Sequence, residues 1–107
     1  MARGLTKFSK QEIKFLFEKA KKHASCGSFV ILRADSLADV GRLLIVSSKK
    51  VGNAPKRNLL KRRLKHIFFQ KKIYDKGFDW ILIARKKATK LTFATLEKKL
   101  LHFFALD

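Results

Sequence analysis

Between Asp39 and Asp75 the chain carries no carboxylate, yet Lys49, Lys50, Asn53, Arg57, Asn58, Lys61, Arg62 and Lys65 all stand there. Ammonium and guanidinium groups at that density, with amides among them, suit the neutralisation and hydrogen bonding of phosphate. Projected on a helix at about 100° per residue, Arg57, Lys61, Lys65, Asn58 and Arg62 form one continuous arc. A merely solvated face would place Glu or Asp at i±4 to relieve the repulsion, and this one has none. The rest of the chain agrees. Its 107 residues hold 26 Lys and Arg against 8 Asp and Glu, a formal charge of +18. A nucleic acid is the usual partner of such a field, with an anionic membrane surface second.

Other chemistries find no constellation. His23, His66 and His102 are far apart in sequence, and none has the i, i+4 partner of a zinc-binding helix. An autonomous ribonuclease would need two of them to converge in space, a reading that sequence leaves open. The carboxylates are scattered, with no cluster of the two-metal kind, and there is no Gly-rich phosphate loop or serine nucleophile signature. Cys26 is alone, so neither a disulfide framework nor a thiolate metal site is expected. No apolar run approaches the ~20 residues of a membrane span, and Met1 to Lys10 lacks the hydrophobic segment of a signal peptide. These features together predict a soluble protein of the reducing cytoplasm.

The elements that must position the basic arc can be read in order, as one domain over residues 1–107. Phe8-Ser9-Lys10-Gln11-Glu12-Ile13 is a capping box with a hydrophobic staple, and Ile13, Leu16, Phe17, Ala20 and Ala24 continue it as one apolar helical face. Phe15 falls on the opposite side, and Ser25-Cys26-Gly27-Ser28 ends the helix. Phe29-Val30-Ile31-Leu32 and Arg42-Leu43-Leu44-Ile45-Val46-Ser47 read as strands, expected to pair as an antiparallel hairpin. Ser48 to Val51 either extends the second strand or forms a short third one. Asn53 caps the basic helix, with Pro55 in its first turn and Leu60, Leu64, Ile67 and Phe68 as its buried stripe. Asp79 to Arg85 reads as a strand buried on both faces. Thr92 caps a last helix that buries Phe93, Leu96, Leu100, Phe103 and Phe104. The order is helix, two or three strands, helix, strand, helix: an α/β (α+β) sandwich around a small mixed sheet.

At this point the residues resemble a known family, the bacterial ribonuclease P protein subunit. Ser48-Lys49-Lys50-Val51-Gly52-Asn53-Ala54 matches its strand-to-helix signature, and Arg57, Asn58, Lys61 and Arg62 take the places of its Arg-Asn-Arg-x-x-Lys-Arg helix. Asp79 to Lys86 is similar to its fourth strand, and Leu91-Thr92-Phe93 with Lys98-Lys99-Leu100-Leu101 to its last helix. The chain departs from the pattern at Leu59, which stands where the second Arg of the triplet is usual. Other departures are Pro55 for a small aliphatic residue, Lys65-His66 for Arg-Glu, Phe69 for Arg, and Ile13 for Phe.

The resemblance implies a four-stranded mixed sheet with a left-handed βαβ crossover, an exception to the usual handedness. It implies the protein component of a ribonucleoprotein that removes the 5′ leader of precursor tRNA. Catalysis would lie with the RNA subunit and its Mg²⁺ ions, so no catalytic or metal-ligating residue is expected in the protein. The partners would be the catalytic RNA and precursor tRNA. Lys49, Lys50, Asn53, Arg57, Asn58, Lys61, Arg62 and Lys65 would face the RNA subunit, with the helix N-terminus at Asn53-Ala54 offering N–H groups to phosphate. Ile13, Phe17, Phe29 and Ile31, with Arg85 and Lys86 at one end, would line a groove for the leader. For Phe17 and Phe29, packing in the core fits the sequence equally well. By charge alone, a generic RNA-binding protein of ribosomal type is the alternative.

Overall fold

The computed structural model describes residues 8–36 and 40–104. Ser9 starts helix α1 (Lys10–Lys19) by the predicted reciprocal bonds: Ser9 Oγ accepts from the Glu12 N–H at 3.1 Å, and Glu12 Oε1 from the Ser9 N–H at 3.0 Å. The helix is shorter than the apolar spacing predicts. Ala20 is already extended, and Lys21–Ser25 forms strand β1, antiparallel to β2 (Phe29–Asp35). Ala24 therefore lies on a strand, and Cys26 to Ser28 is the turn between strands instead of a helix end. Nothing in Lys21–Ser25 alternates clearly in polarity; backbone pairing with β2 makes it a strand.

Two further strands, β3 (Leu43–Val46) and β4 (Phe78–Ala84), complete a sheet of order β1-β2-β4-β3. β2 runs antiparallel to β4 from Phe29↔Ala84 to Asp35↔Phe78, and β3 runs parallel to β4 from Leu43↔Trp80 to Val46↔Ile83. The hairpin expected between Phe29–Leu32 and Arg42–Ser47 does not form. A strand apolar on both faces must be central, and β4 takes the place between them. Ser48 to Val51 is likewise no strand: Lys49–Val51 is a single 3-10 turn that sends Val51 into the core.

Helix α2 (Ala54–Gln70) follows, its Asn53 cap accepting from the Lys56 N–H at 3.1 Å. Its buried residues are Leu60, Leu64, Ile67 and Phe68, the stripe that the sequence predicts. A left-handed residue, Lys72, and a 3-10 turn, Ile73–Lys76, lead to Gly77, whose φ of 77° suits glycine, and so into β4. A further 3-10 turn, Lys86–Lys90, precedes α3 (Phe93–Phe103), capped by Thr92. Among the described residues no helix is long and apolar enough to cross a membrane.

Strand parity divides the apolar side chains into two clusters. Phe29, Ile31, Leu43, Trp80, Leu82 and Ala84 pack with α2 and α3. Trp80 is fully buried there, its ring edge-on to Phe104 at 4.7 Å and to His23 at 5.1 Å. On the other face Leu16 of α1 packs on Ala34 and Ile81, with Leu32, Leu44, Val46 and Ile83 half-buried around them.

One arginine fastens α1 to the sheet. Gly41 lets the chain approach Phe78 so closely that a Cβ would meet its carbonyl oxygen at 1.9 Å. Arg42 then donates its N–H to Asp79 Oδ1 at 2.9 Å and accepts from the Trp80 N–H at 2.7 Å. Its Nη1 donates to Glu12 Oε2 at 2.6 Å, and its guanidinium lies 4.3 Å from the Phe8 ring centroid. The Ser9 N–H, followed by Arg42, lowers the Glu12 pKa from 4.5 to about 2. The charge of Glu12 therefore adds stability that is complete above the unfolded-state pKa and is lost as pH falls through about 2. Glu12→Gln keeps an acceptor for Ser9 and loses the charge. In urea titrations it should be less stable than wild type at pH 6, with the gap closing by pH 2; an equal gap at both would refute the assignment.

Candidate nucleic-acid interface

From Asn53 onward the basic segment keeps its predicted shape. Lys49 and Lys50 are exposed on the 3-10 turn just before α2, and Asn53, Asn58, Arg62 and Lys65 are exposed on its cap and outer face. Arg57 and Lys61 are half-buried beside them, and Asn58, Lys61, Arg62 and Lys65 share one shallow depression with Pro55. Among the described residues both ion pairs run through Arg42, so none of these cations is paired with a carboxylate. Arg57 Nε is buried without a hydrogen-bond partner among them.

The helix N-terminus offers less to an anion than the sequence suggests. Asn53 takes the Lys56 N–H, the Arg57 N–H bonds the Asn53 carbonyl, and Pro55 has none. That leaves the Ala54 N–H. Phe69, which falls within the arc by spacing, is half-buried with its ring 5.9 Å from Tyr74 and 6.0 Å from Phe68. The fold has already engaged it. Leu59, 40% exposed, stands on the other side of α2, toward Ala88 and Thr89.

The groove needs correction. Phe29 and Ile31 are 1% and 0% exposed and face α2 and α3, so they cannot line a groove under α1. Alternate residues of a strand point to opposite faces, so the side chains toward α1 are those one position along. The side chains on the α1 side are Val30 and Leu32 of β2, Leu44 and Val46 of β3, and Ile83 of β4, all half-buried. Ile13 and Phe17 lie one turn apart on the same side of α1, with Ile13 half-buried and Phe17 41% exposed. Arg85 and Lys86 are exposed where β4 ends, with the Arg85 N–H bonded to the Ser28 carbonyl at 2.8 Å. Phe29 pairs with Ala84, and both belong to the cluster under α2 and α3.

The histidines are held by the fold or stand at its surface. His23 Nε2 meets the Phe103 carbonyl at 2.6 Å, the His66 ring is 5.8 Å from Phe93, and exposed His102 packs on Phe103. Among the described residues no group of three His, Cys, Asp or Glu side chains could hold a metal ion. The described residues thus present cations on α2 and, on the opposite face of the sheet, half-buried apolar side chains beside α1.

The ribonuclease P family model matches residues 5–106. This chain belongs to the ribonuclease P family. A ribonuclease P protein component of Streptococcus agalactiae is 34% identical over 94 residues, covering 88% of this chain and 85% of that one. The ribonuclease P protein of Staphylococcus aureus superposes with a TM-score of 0.83 at 27% identity, covering 94% of this chain and 93% of that one. That of Thermotoga maritima superposes at 0.80 with 33% identity, covering 92% and 94%. Its three helices and mixed four-stranded sheet are thus those of a bacterial ribonuclease P protein.

Substitution separates Phe29, sealed in the core, from Phe17, exposed on α1. Phe29→Ala should lower the unfolding free energy by ~3–5 kcal/mol, because it opens a cavity in a sealed core. Phe17→Ala should cost under ~1 kcal/mol in the same urea titration. Equal losses would contradict the assignment of the sheet faces.

Proposed function

We propose that this chain is the protein component of the ribonuclease P ribonucleoprotein, which removes the 5′ leader of precursor tRNA to give the mature 5′ end. The observation that carries the reading is a pair of surfaces on a ribonuclease P protein fold. Unneutralised cations line α2, and the other face of the sheet shows half-buried apolar side chains beside α1, which we take as an apolar trough. The α2 arc, with Lys49 and Lys50, binds the phosphates of the catalytic RNA. Each phosphate neutralised releases counterions, so affinity falls steeply with salt. The trough takes the single-stranded leader: bases lie against Leu32, Leu44, Val46 and Ile83 and stack on Phe17, each stack contributing ~1–3 kcal/mol. Arg85 and Lys86 hold the backbone at one end.

In this reading the RNA subunit supplies catalysis, through Mg²⁺ ions that activate water for phosphodiester hydrolysis. The side chains of the protein position substrate. Holding a leader that the RNA alone grips weakly lowers the Mg²⁺ concentration needed for cleavage and widens the range of usable precursors.

Adding the protein to a bacterial ribonuclease P RNA at low Mg²⁺ should enhance cleavage of a precursor tRNA carrying a 5′ leader. No enhancement would sink the assignment. Lys61→Ala and Arg62→Ala should each lower the salt slope of RNA-subunit binding by about one. Phe17→Ala should weaken binding of the leader-bearing precursor about tenfold and leave mature tRNA unaffected; equal effects on both would remove Phe17 from the leader site.

A further inference from the structure

Helix α1 crosses the sheet face, with Ile13 and Phe17 on one side of its axis. On the other side Glu12, Phe15 and Lys19, with Asp35, Arg42 and Asp79, line a separate depression of about 240 Å³ where β2 ends and β3 and β4 begin.

Its chemistry differs from that of the surrounding surface. Three of the chain's 8 carboxylates line it, in a protein of formal charge +18. They do not form a group that could hold a metal ion. Phe15 is 52% exposed, the most exposed large apolar side chain among the described residues. The Lys19 ammonium lies 5.1 Å from its ring centroid. Asp79, by contrast, is only 7% exposed. Its Oδ1 accepts from the Arg42 N–H at 2.9 Å, but Oδ2 accepts no hydrogen bond among the described residues, the Arg42 Nη2 standing off at 3.9 Å. A mostly buried carboxylate oxygen that accepts no hydrogen bond from the described residues therefore borders the same depression as a half-exposed aromatic ring that Lys19 meets on one face.

A ligand satisfying both is flat, aromatic and a hydrogen-bond donor. Phosphate is excluded by the carboxylates. We infer that the depression binds one unpaired nucleobase with an exocyclic amino group, stacked on Phe15 and donating to Asp79 Oδ2. Cytosine, adenine and guanine carry such donors. The N3–H of uracil lies between two carbonyl oxygens that would meet the carboxylate, so uracil is disfavoured. Lys19 at the rim pairs with the phosphate of the bound nucleotide. This site rests on the RNA-binding reading above and adds to it a base preference on the far side of α1 from the trough.

The test compares fluorescently labelled pentacytidylate and pentauridylate binding to the full chain at low salt. Wild type should bind the cytidine pentamer about tenfold more tightly, as expected for one hydrogen bond to a charged group. Phe15→Ala, on an exposed ring, should lower cytidine-pentamer affinity about tenfold without shifting the melting temperature. Asp79→Asn keeps Oδ1 for Arg42 and turns Oδ2 into an amide donor, so the preference should swing toward uridine. Equal affinity of wild type for both pentamers overturns the site, as does a cytidine preference that survives Phe15→Ala and Asp79→Asn. In those cases pentamer binding and the salt response of Lys61→Ala leave the RNA-binding reading standing. Failure to bind either the pentamers or the catalytic RNA overturns both.

Discussion

The strand Phe78–Ala84 has helices on both of its faces, and its side chains sort between them by parity. Trp80, Leu82 and Ala84 go to α2 and α3, while Ile81 and Ile83 go to the side that α1 covers. The larger cluster closes around Trp80, with Phe104 and His23 against its ring, and Leu64, Ile67 and Phe68 bring α2 down onto the same layer. The smaller cluster is shallower because one short helix covers it. That asymmetry leaves one sheet face sealed and the other half open.

The two candidate RNA surfaces follow from it. On the sealed side, four buried residues of α2 hold the helix rigidly, so its basic arc is displayed without taking part in the core. On the open side, the sheet itself becomes the surface, and α1 crosses it without covering it. Arg42 sets the position of that crossing through Glu12 on the helix and Asp79 on β4. Charge and apolar contact are thereby kept on different faces, an arrangement suited to the two RNA contacts proposed above.

Features written in short range were legible in the sequence. Ser9, Asn53 and Thr92 each cap the helix they were expected to cap, and the α2 stripe of Leu60, Leu64, Ile67 and Phe68 is buried as its spacing requires. That β4 is buried on both faces was legible from its near-continuous apolar run. Pairing was not. Lys21–Ser25 becomes a strand only because β2 lies beside it, and β2 turns away from β3 because β4 fits between them. The groove went astray for the same reason. Phe29 and Ile31 and their neighbours Val30 and Leu32 are equally apolar, so composition cannot say which pair faces α1. Arg42 and Asp79, far apart in sequence and ordinary in isolation, meet only once β3 and β4 are parallel.

Strand β1 lies at the margin of the sheet, with β2 on one side of it. Its other side offers backbone donors and acceptors, the usual invitation to strand addition between molecules. Lys21 and Lys22 are exposed on it, and the register shifts between Lys22 and Ala24. Two ammonium groups and an irregular edge repel a second copy of the same strand and spoil its fit. The same lysines that add to an already large charge thus guard the sheet against edge-to-edge aggregation, a service independent of any RNA.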